Sequence, residues 1–302
     1  KIDVWDMGAV QEADTSKYNN NITASDWDSC ANVSQAGKFV AGETTFGDLT
    51  INHIANDRLF STSSKNYGTN ALATTAYDDG YTAGGMYYCN GTGGETRRNV
   101  TINNVIAGDK IVVYMASSNA ATGTLVFKYL GEDNEQVEKA SFTNKGTKYE
   151  FVAKYSGSYK VYTDAAAGKP IYNRIVRIPG VAVSGTIDGA QLSGYKVMFK
   201  DEANGITYDA DIKGNTFTAT LAAGCNYTAV LSGVAGYGFS NATKNISTTV
   251  DEALTGKSGV TLSIEEKKVY TYTGKVTGFA ADYDTSNLSV KLVADSSSLA
   301  DD

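Results

Sequence analysis

Aromatic and cationic side chains crowd one window of this sequence. Tyr77, Tyr81, Tyr87 and Tyr88 come first, then a glycine-rich turn from Gly91 to Gly94, then Glu95, Arg97 and Arg98. Just upstream stand Asp57 and Arg58, followed by Lys65 and Tyr67. A tyrosine offers a flat apolar face for a pyranose ring and a phenol for its hydroxyls. Arginine presents a planar fork that matches a carboxylate with two parallel hydrogen bonds. Together these are the requirements of acidic-sugar recognition, so Arg58, Tyr67, Tyr81, Tyr87, Arg97 and Arg98 are the candidate carbohydrate-binding residues. Trp27, placed between Asp26 and Asp28, joins them as a candidate stacking platform, whereas Trp5 in the strand-like Ile2–Asp6 reads as core. The competing reading is that alternate tyrosines fill a core while each arginine pairs with a nearby aspartate.

Oxygen-rich stretches raise a second possibility, a structural calcium ion. Asp3 and Asp6 flank Trp5 at the start of the chain and are the candidate ligands. The loop Asp282-Tyr-Asp-Thr-Ser-Asn287 alternates oxygen donors but lacks the central glycine and distal glutamate of an EF-type loop. Zinc is not expected, because His53 is the single histidine and the three cysteines, Cys30, Cys89 and Cys225, have no metal spacing. Cys30 and Cys89 fall in one region and could pair; three small buried hydrophobes is the preferred reading. No nucleophile elbow, HExxH helix, P-loop or dinucleotide fingerprint is present. His53, in the strand-like Leu49–Ile54, reads as structural rather than as a base, and no catalysis is expected of this chain.

The elements that must position these residues are strands. The 302 residues contain 31 Gly, 2 Pro and 20 Tyr, with 42% hydrophobic content, the mixture of short strands joined by tight turns. Polar and apolar residues alternate in Asn99–Asn103, Lys110–Tyr114, Thr124–Lys128, Lys148–Val152 and Gly157–Tyr162, the period of half-buried strands. The expectation is an all-β chain: a jelly-roll-type β-sandwich over 1–179, an immunoglobulin-like sandwich over 181–267, and the start of a further repeat over 268–302. The stretch from Val4 to Leu59 reads as long loops, and Pro179-Gly180 as a linker. Tyr272–Val276 echoes Val183–Ile187, and Val290–Asp295 echoes Lys196–Asp201, so the last segment is an incomplete copy of the one before it. That incompleteness, and an opening at Lys1 without a leader, fit a piece of a longer, trimmed polypeptide. The net charge of -7 disfavours nucleic acid. No apolar run is long enough to span a membrane.

Several segments without chemistry of their own carry a family likeness. Lys1–Ala9, Tyr18–Asn20, Asn56–Leu59, Gly168–Arg174 and Val183–Asp188 resemble the non-catalytic N-terminal regions of large secreted pectinesterases and pectate lyases of clostridia and related Gram-positive bacteria. The resemblance implies a secreted or cell-surface location, pectin as the neighbourhood, and downstream catalytic or anchoring domains of the same polypeptide as partners. It leaves starch or another glycan open. The expected function is a non-catalytic carbohydrate-binding module with spacer domains; the rival is a structural stalk, adhesin or filament component built of β-sandwich repeats.

Overall fold

Period-two alternation turns each short segment into a ribbon with one apolar face, and such faces are buried by stacking sheets. The computed structural model describes residues 1–63, 70–118, 123–132, 135–164 and 168–267. The elements of the first part are β1 (Ile2–Asp6), β2 (Tyr18–Asn20), α1 (Ala24–Asp28), β3 (Gly42–Phe46), β4 (Leu49–His53), β5 (Arg58–Ser61), β6 (Gly85–Tyr88), β7 (Asn99–Val105), β8 (Lys110–Ser117), β9 (Gly123–Tyr129), β10 (Val137–Phe142), β11 (Thr147–Val152), β12 (Gly157–Thr163) and β13 (Pro170–Ile178). One sheet runs β11-β8-β13-β1-β2, with the β5–β6 ribbon joined to β13, and a six-stranded sheet β10-β9-β12-β7-β4-β3 faces it. Trp5, Trp27, Leu49, Tyr87, Ile102, Val113, Phe127, Tyr159 and Ile175 pack between them in one core.

The segment expected to be loops is more ordered than its composition indicates. Between Val4 and Leu59 lie β2, β3, β4, part of β5 and the short helix α1. Thr23 caps α1, accepting from the Asp26 backbone N–H, while the Asp26 carboxylate accepts from the Thr23 backbone. Of these, β4 coincides with the strand-like Leu49–Ile54, whereas β2 and β3 are short edge strands, β2 with no fully buried residue and β3 with two, so their composition reads as loop.

The second part comprises β14 (Val181–Gly189), β15 (Lys196–Asp201), β16 (Ile206–Asp209), β17 (Asp211–Lys213), β18 (Thr216–Leu221), β19 (Asn226–Ser232), β20 (Tyr237–Phe239), β21 (Asn245–Ser247), α2 (Glu252–Thr255) and β22 (Lys257–Glu266). A five-stranded sheet β17-β18-β14-β22-β20 packs on a four-stranded sheet β16-β15-β19-β21 around Val183, Phe199, Phe217, Tyr227 and Leu262. The chain is therefore all-β, built of sandwiches. The echoing strands near 272 and 290 and the oxygen-rich loop at 282–287 lie outside the described residues.

Pro179-Gly180 is not a free linker. Only these two residues separate β13 from β14, and the flanking Ile178 and Val181 are both buried. A Cβ on Gly180 would stand 2.7 Å from Thr220 Cγ2, so glycine serves close packing there. The apolar cluster of the second sandwich continues without a break into Ile2, Val4, Val112 and Val176 on the outer face of the first, and Val152, Ile206 and Ala222 form a further patch. Residues 1–267 cluster as one compact unit.

Candidate functional site

The β5–β6 ribbon carries the site. Its antiparallel register sets Arg58 opposite Tyr88 and Phe60 opposite Met86, so these four side chains share the outer face. Leu59 and Tyr87, one residue out of phase, turn inward and are buried in the core. Met86, Ile171 and Ala73, the last from the 3-10 turn Ala71–Thr74, form a small apolar floor against which Phe60 and Tyr88 lie half-buried. The two rings meet edge to face, with centroids 6.4 Å apart. Above them opens a cleft of about 740 Å³ lined by Arg58, Phe60, Asn70, Tyr88, Asn90, Ser118 and Lys169. Aromatic rings, amides, a hydroxyl and two cations thus converge on one concavity, of the size that small-molecule and saccharide ligands occupy.

A buried carboxylate fixes the loop that supplies Asn90. Asp57 is fully buried, and its two oxygens accept from Arg98 Nε at 2.8 Å, the Asn90 backbone N–H at 2.9 Å, the Ile54 N–H at 3.0 Å and the Tyr87 hydroxyl at 3.3 Å. Arg98, in the left-handed region with φ +53, donates from Nη1 to the Thr92 carbonyl and from Nη2 to the Asn90 carbonyl, so all three of its nitrogens are engaged. The guanidinium is consumed by its own loop. Arg98 and Tyr87 therefore brace the cleft from behind and do not face a ligand. Burial pushes the Tyr87 phenol and the neighbouring Cys89 thiol well above their ordinary values, keeping both neutral in this interior.

Among the described residues expected to bind carbohydrate, Arg58 alone lines the cleft. Trp27 is fully buried: its indole N–H donates to the Met7 carbonyl at 3.0 Å, and its ring packs edge-on to Phe46. It offers no face for stacking. Tyr81 lies on another part of the sheet, where its hydroxyl donates to Asp6 at 2.8 Å and the Arg174 guanidinium covers its ring at 4.8 Å. Arg97 is exposed at a turn closed by its backbone N–H to the Gly94 carbonyl. Tyr67 lies outside the described residues.

The expected metal pair is corrected by strand geometry. Three residues apart on β1, Asp3 and Asp6 project to opposite faces. Asp3 accepts from Arg177 Nη2 at 2.7 Å and from Asn19, so a guanidinium stands where a cation would. Asp6 accepts from Tyr81 and the Gly8 backbone, and burial raises its pKa. Among the described residues no three acidic, histidine or cysteine side chains gather to hold an ion. His53 is buried, with Nε2 2.9 Å from Thr44 Oγ1 and Nδ1 2.7 Å from the Val40 carbonyl, and burial lowers its pKa. Both ring nitrogens are engaged in cross-linking β3 to β4 and its flanks. Cys30, Cys89 and Cys225 are free thiols.

Sequence reading missed Phe60, Asn70, Asn90, Ser118 and Lys169. A signal existed for Phe60, which stands two residues from Arg58 on one strand and so shares its face, and the alternation in Gly85–Tyr88 likewise turns Tyr88 outward once Tyr87 is assigned to the core.

The chain matches no family model and no curated protein. Among solved structures it is similar to a family two carbohydrate esterase from Cellvibrio japonicus, at 14% identity and a TM-score of 0.22, over 39% of this chain and 35% of that one. It is also similar to paired modules of an N-terminal endo-1,4-beta-D-xylanase of Clostridium thermocellum complexed with xylohexaose, at 14% identity and a TM-score of 0.25, over 52% of this chain and 31% of that one. The chain spans about a third of the length of each. Neither is a pectinesterase or pectate lyase.

Proposed function

We propose that this chain binds a plant polysaccharide through the β5–β6 cleft and performs no catalysis itself. The observation that carries this reading is the half-buried Phe60–Tyr88 pair flanked by Arg58 and Asn90, with the loop behind them locked by the Asp57–Arg98 ion pair. Preorganised rings and amides suit a flat hydroxylated ligand, because little ordering entropy is lost on binding. The Arg58 guanidinium makes no hydrogen bond or ion pair among the described residues, and a uronic acid carboxylate would complete it. Pectin is accordingly the favoured glycan, with starch and xylan as the neutral alternatives, and a secreted or cell-surface protein with further catalytic or anchoring domains is the setting.

Native affinity electrophoresis in gels of homogalacturonan, starch or xylan tests this. The chain should be retarded by homogalacturonan, and Arg58→Ala with Tyr88→Ala should weaken binding about tenfold or more, ~1.4 kcal/mol. Retardation in starch or xylan alone would retain the cleft and discard the pectin assignment. Free migration in all three would reject glycan binding in favour of a structural stalk.

A further inference from the structure

The six-stranded sheet turns one face to the core and the other to solvent. Across that outer face the register sets Lys128 on β9, Lys160 on β12, Thr101 on β7, Thr50 on β4 and Thr45 on β3 in a single row. Two ammonium groups directly opposite on neighbouring strands repel one another. What compensates them is Glu95. Lys128 Nζ donates to Glu95 Oε1 at 2.6 Å and Lys160 Nζ donates to the Glu95 backbone carbonyl at 3.0 Å, while the neighbouring Tyr162 phenol and the Lys160 charge both favour the ionised Glu95 carboxylate. One carboxylate thus sits among two cations and a hydroxyl.

The loop does not need that carboxylate to hold its place. Asn99 Nδ2 donates to the backbone carbonyls of Gly94 at 3.1 Å and Glu95 at 2.9 Å, and Asn99 itself is buried. The loop backbone is anchored independently, so the Glu95 side chain can swing aside without the turn unfolding. The Lys128 and Glu95 side chains remain 34% and 44% exposed, which makes theirs a weak, water-accessible ion pair open to competition.

We propose that Lys128, Lys160 and Tyr162 form a receptor for the carboxylate of an acidic polysaccharide, which Glu95 fills as an internal stand-in when no ligand is bound. Thr101, Thr50 and Thr45 continue the row on strands about 4.8 Å apart; the Thr50 and Thr45 hydroxyls, 3.1 Å apart, hydrogen-bond each other and keep spare acceptor sites for a hydroxylated chain lying across the strands. This face is distinct from the β5–β6 cleft, and its requirement is a carboxylate beside hydroxyls, so it stands whether or not the cleft binds glycan.

Calorimetric titration of the full chain with oligogalacturonate tests the receptor. Glu95→Gln should bind about two- to fivefold tighter than the parent, because the internal competitor is gone. The double variant Lys128→Gln/Lys160→Gln should bind at least about fivefold more weakly, and adding Glu95→Gln to it should restore nothing. Repeating the titrations in an Arg58→Ala/Tyr88→Ala background separates this face from the cleft. The idea is overturned if Glu95→Gln gives no gain, or if the gain survives without the two lysines and so reflects net charge alone. Equal affinity for poly-L-glutamate of matched charge would also overturn the assignment to a saccharide.

Discussion

Arg97 and Arg98 are neighbours in sequence and opposites in environment. Arg98 closes a buried ion pair with Asp57, and removing it strands a carboxylate with no route to water. Arg98→Ala should therefore cost ~3–5 kcal/mol in urea denaturation, whereas Arg97→Ala, at an exposed turn, should stay within ~0.5 kcal/mol. Similar effects for the two variants would show that the clamp is not what holds the loop. Lysine at 98 cannot reproduce the guanidinium's simultaneous reach to Asp57, Thr92 and Asn90, so Arg98→Lys should recover little of the loss. The paired tyrosines obey the same rule: Tyr87 is structural and Tyr88 lines the cleft, one step apart along a strand.

At the scale of elements, strands buried on both faces behave differently from those with one wet face. All of β8 is buried, with Ile111, Val113 and Met115 in the sandwich core while Val112 and Tyr114 join the cluster shared with the second sandwich. Close approach of strands also sets sequence. In β14, a Cβ on Gly185 would overlap the Val260 carbonyl of the parallel partner β22 and crowd Phe217. Gly185→Ala should destabilise the chain by ~1–3 kcal/mol in thermal or urea melts. Gly94→Ala, where an added Cβ meets nothing within 4 Å, serves as the contrast and should be neutral or slightly stabilising. A neutral Gly185→Ala would mean that the β14–β22 pair opens to accept the methyl at no cost.

On the scale of the molecule, the two sandwiches are joined by buried contacts and not by a tether. Ile178 and Val181 flank a two-residue connection, the Gly180 N–H donates to Asp109, and an apolar cluster runs through the junction. Unfolding one sandwich would expose the apolar surface of the other, so the two should melt together. Tryptophan fluorescence reports only the first sandwich, because Trp5 and Trp27 both lie there, while circular dichroism reports both. The two melting curves should coincide; a second transition visible only by circular dichroism would show that the sandwiches are energetically independent. A rigid junction also fixes the direction in which the β5–β6 cleft faces relative to the second sandwich, which a flexible spacer would not.

Much of the architecture was legible in the chain itself. Alternation in segments such as Thr124–Lys128 and Gly157–Tyr162 marks strands because pleating sends successive side chains to opposite faces, and no tertiary information is needed for that. An all-β chain is the consequence. What alternation leaves open is which face meets the core, since a shift of one residue exchanges them. Pairing of β5 with β6 and of β6 with β13 made that choice, sending Tyr87 inward and leaving Tyr88 and Phe60 outward. Arg98 reads as a ligand for a carboxylate, and it is one; only the folded chain shows that the carboxylate is Asp57, forty-one residues away. The cleft itself joins residues from 58 to 169, and a surface assembled from such distant segments is decided by sheet register and packing alone.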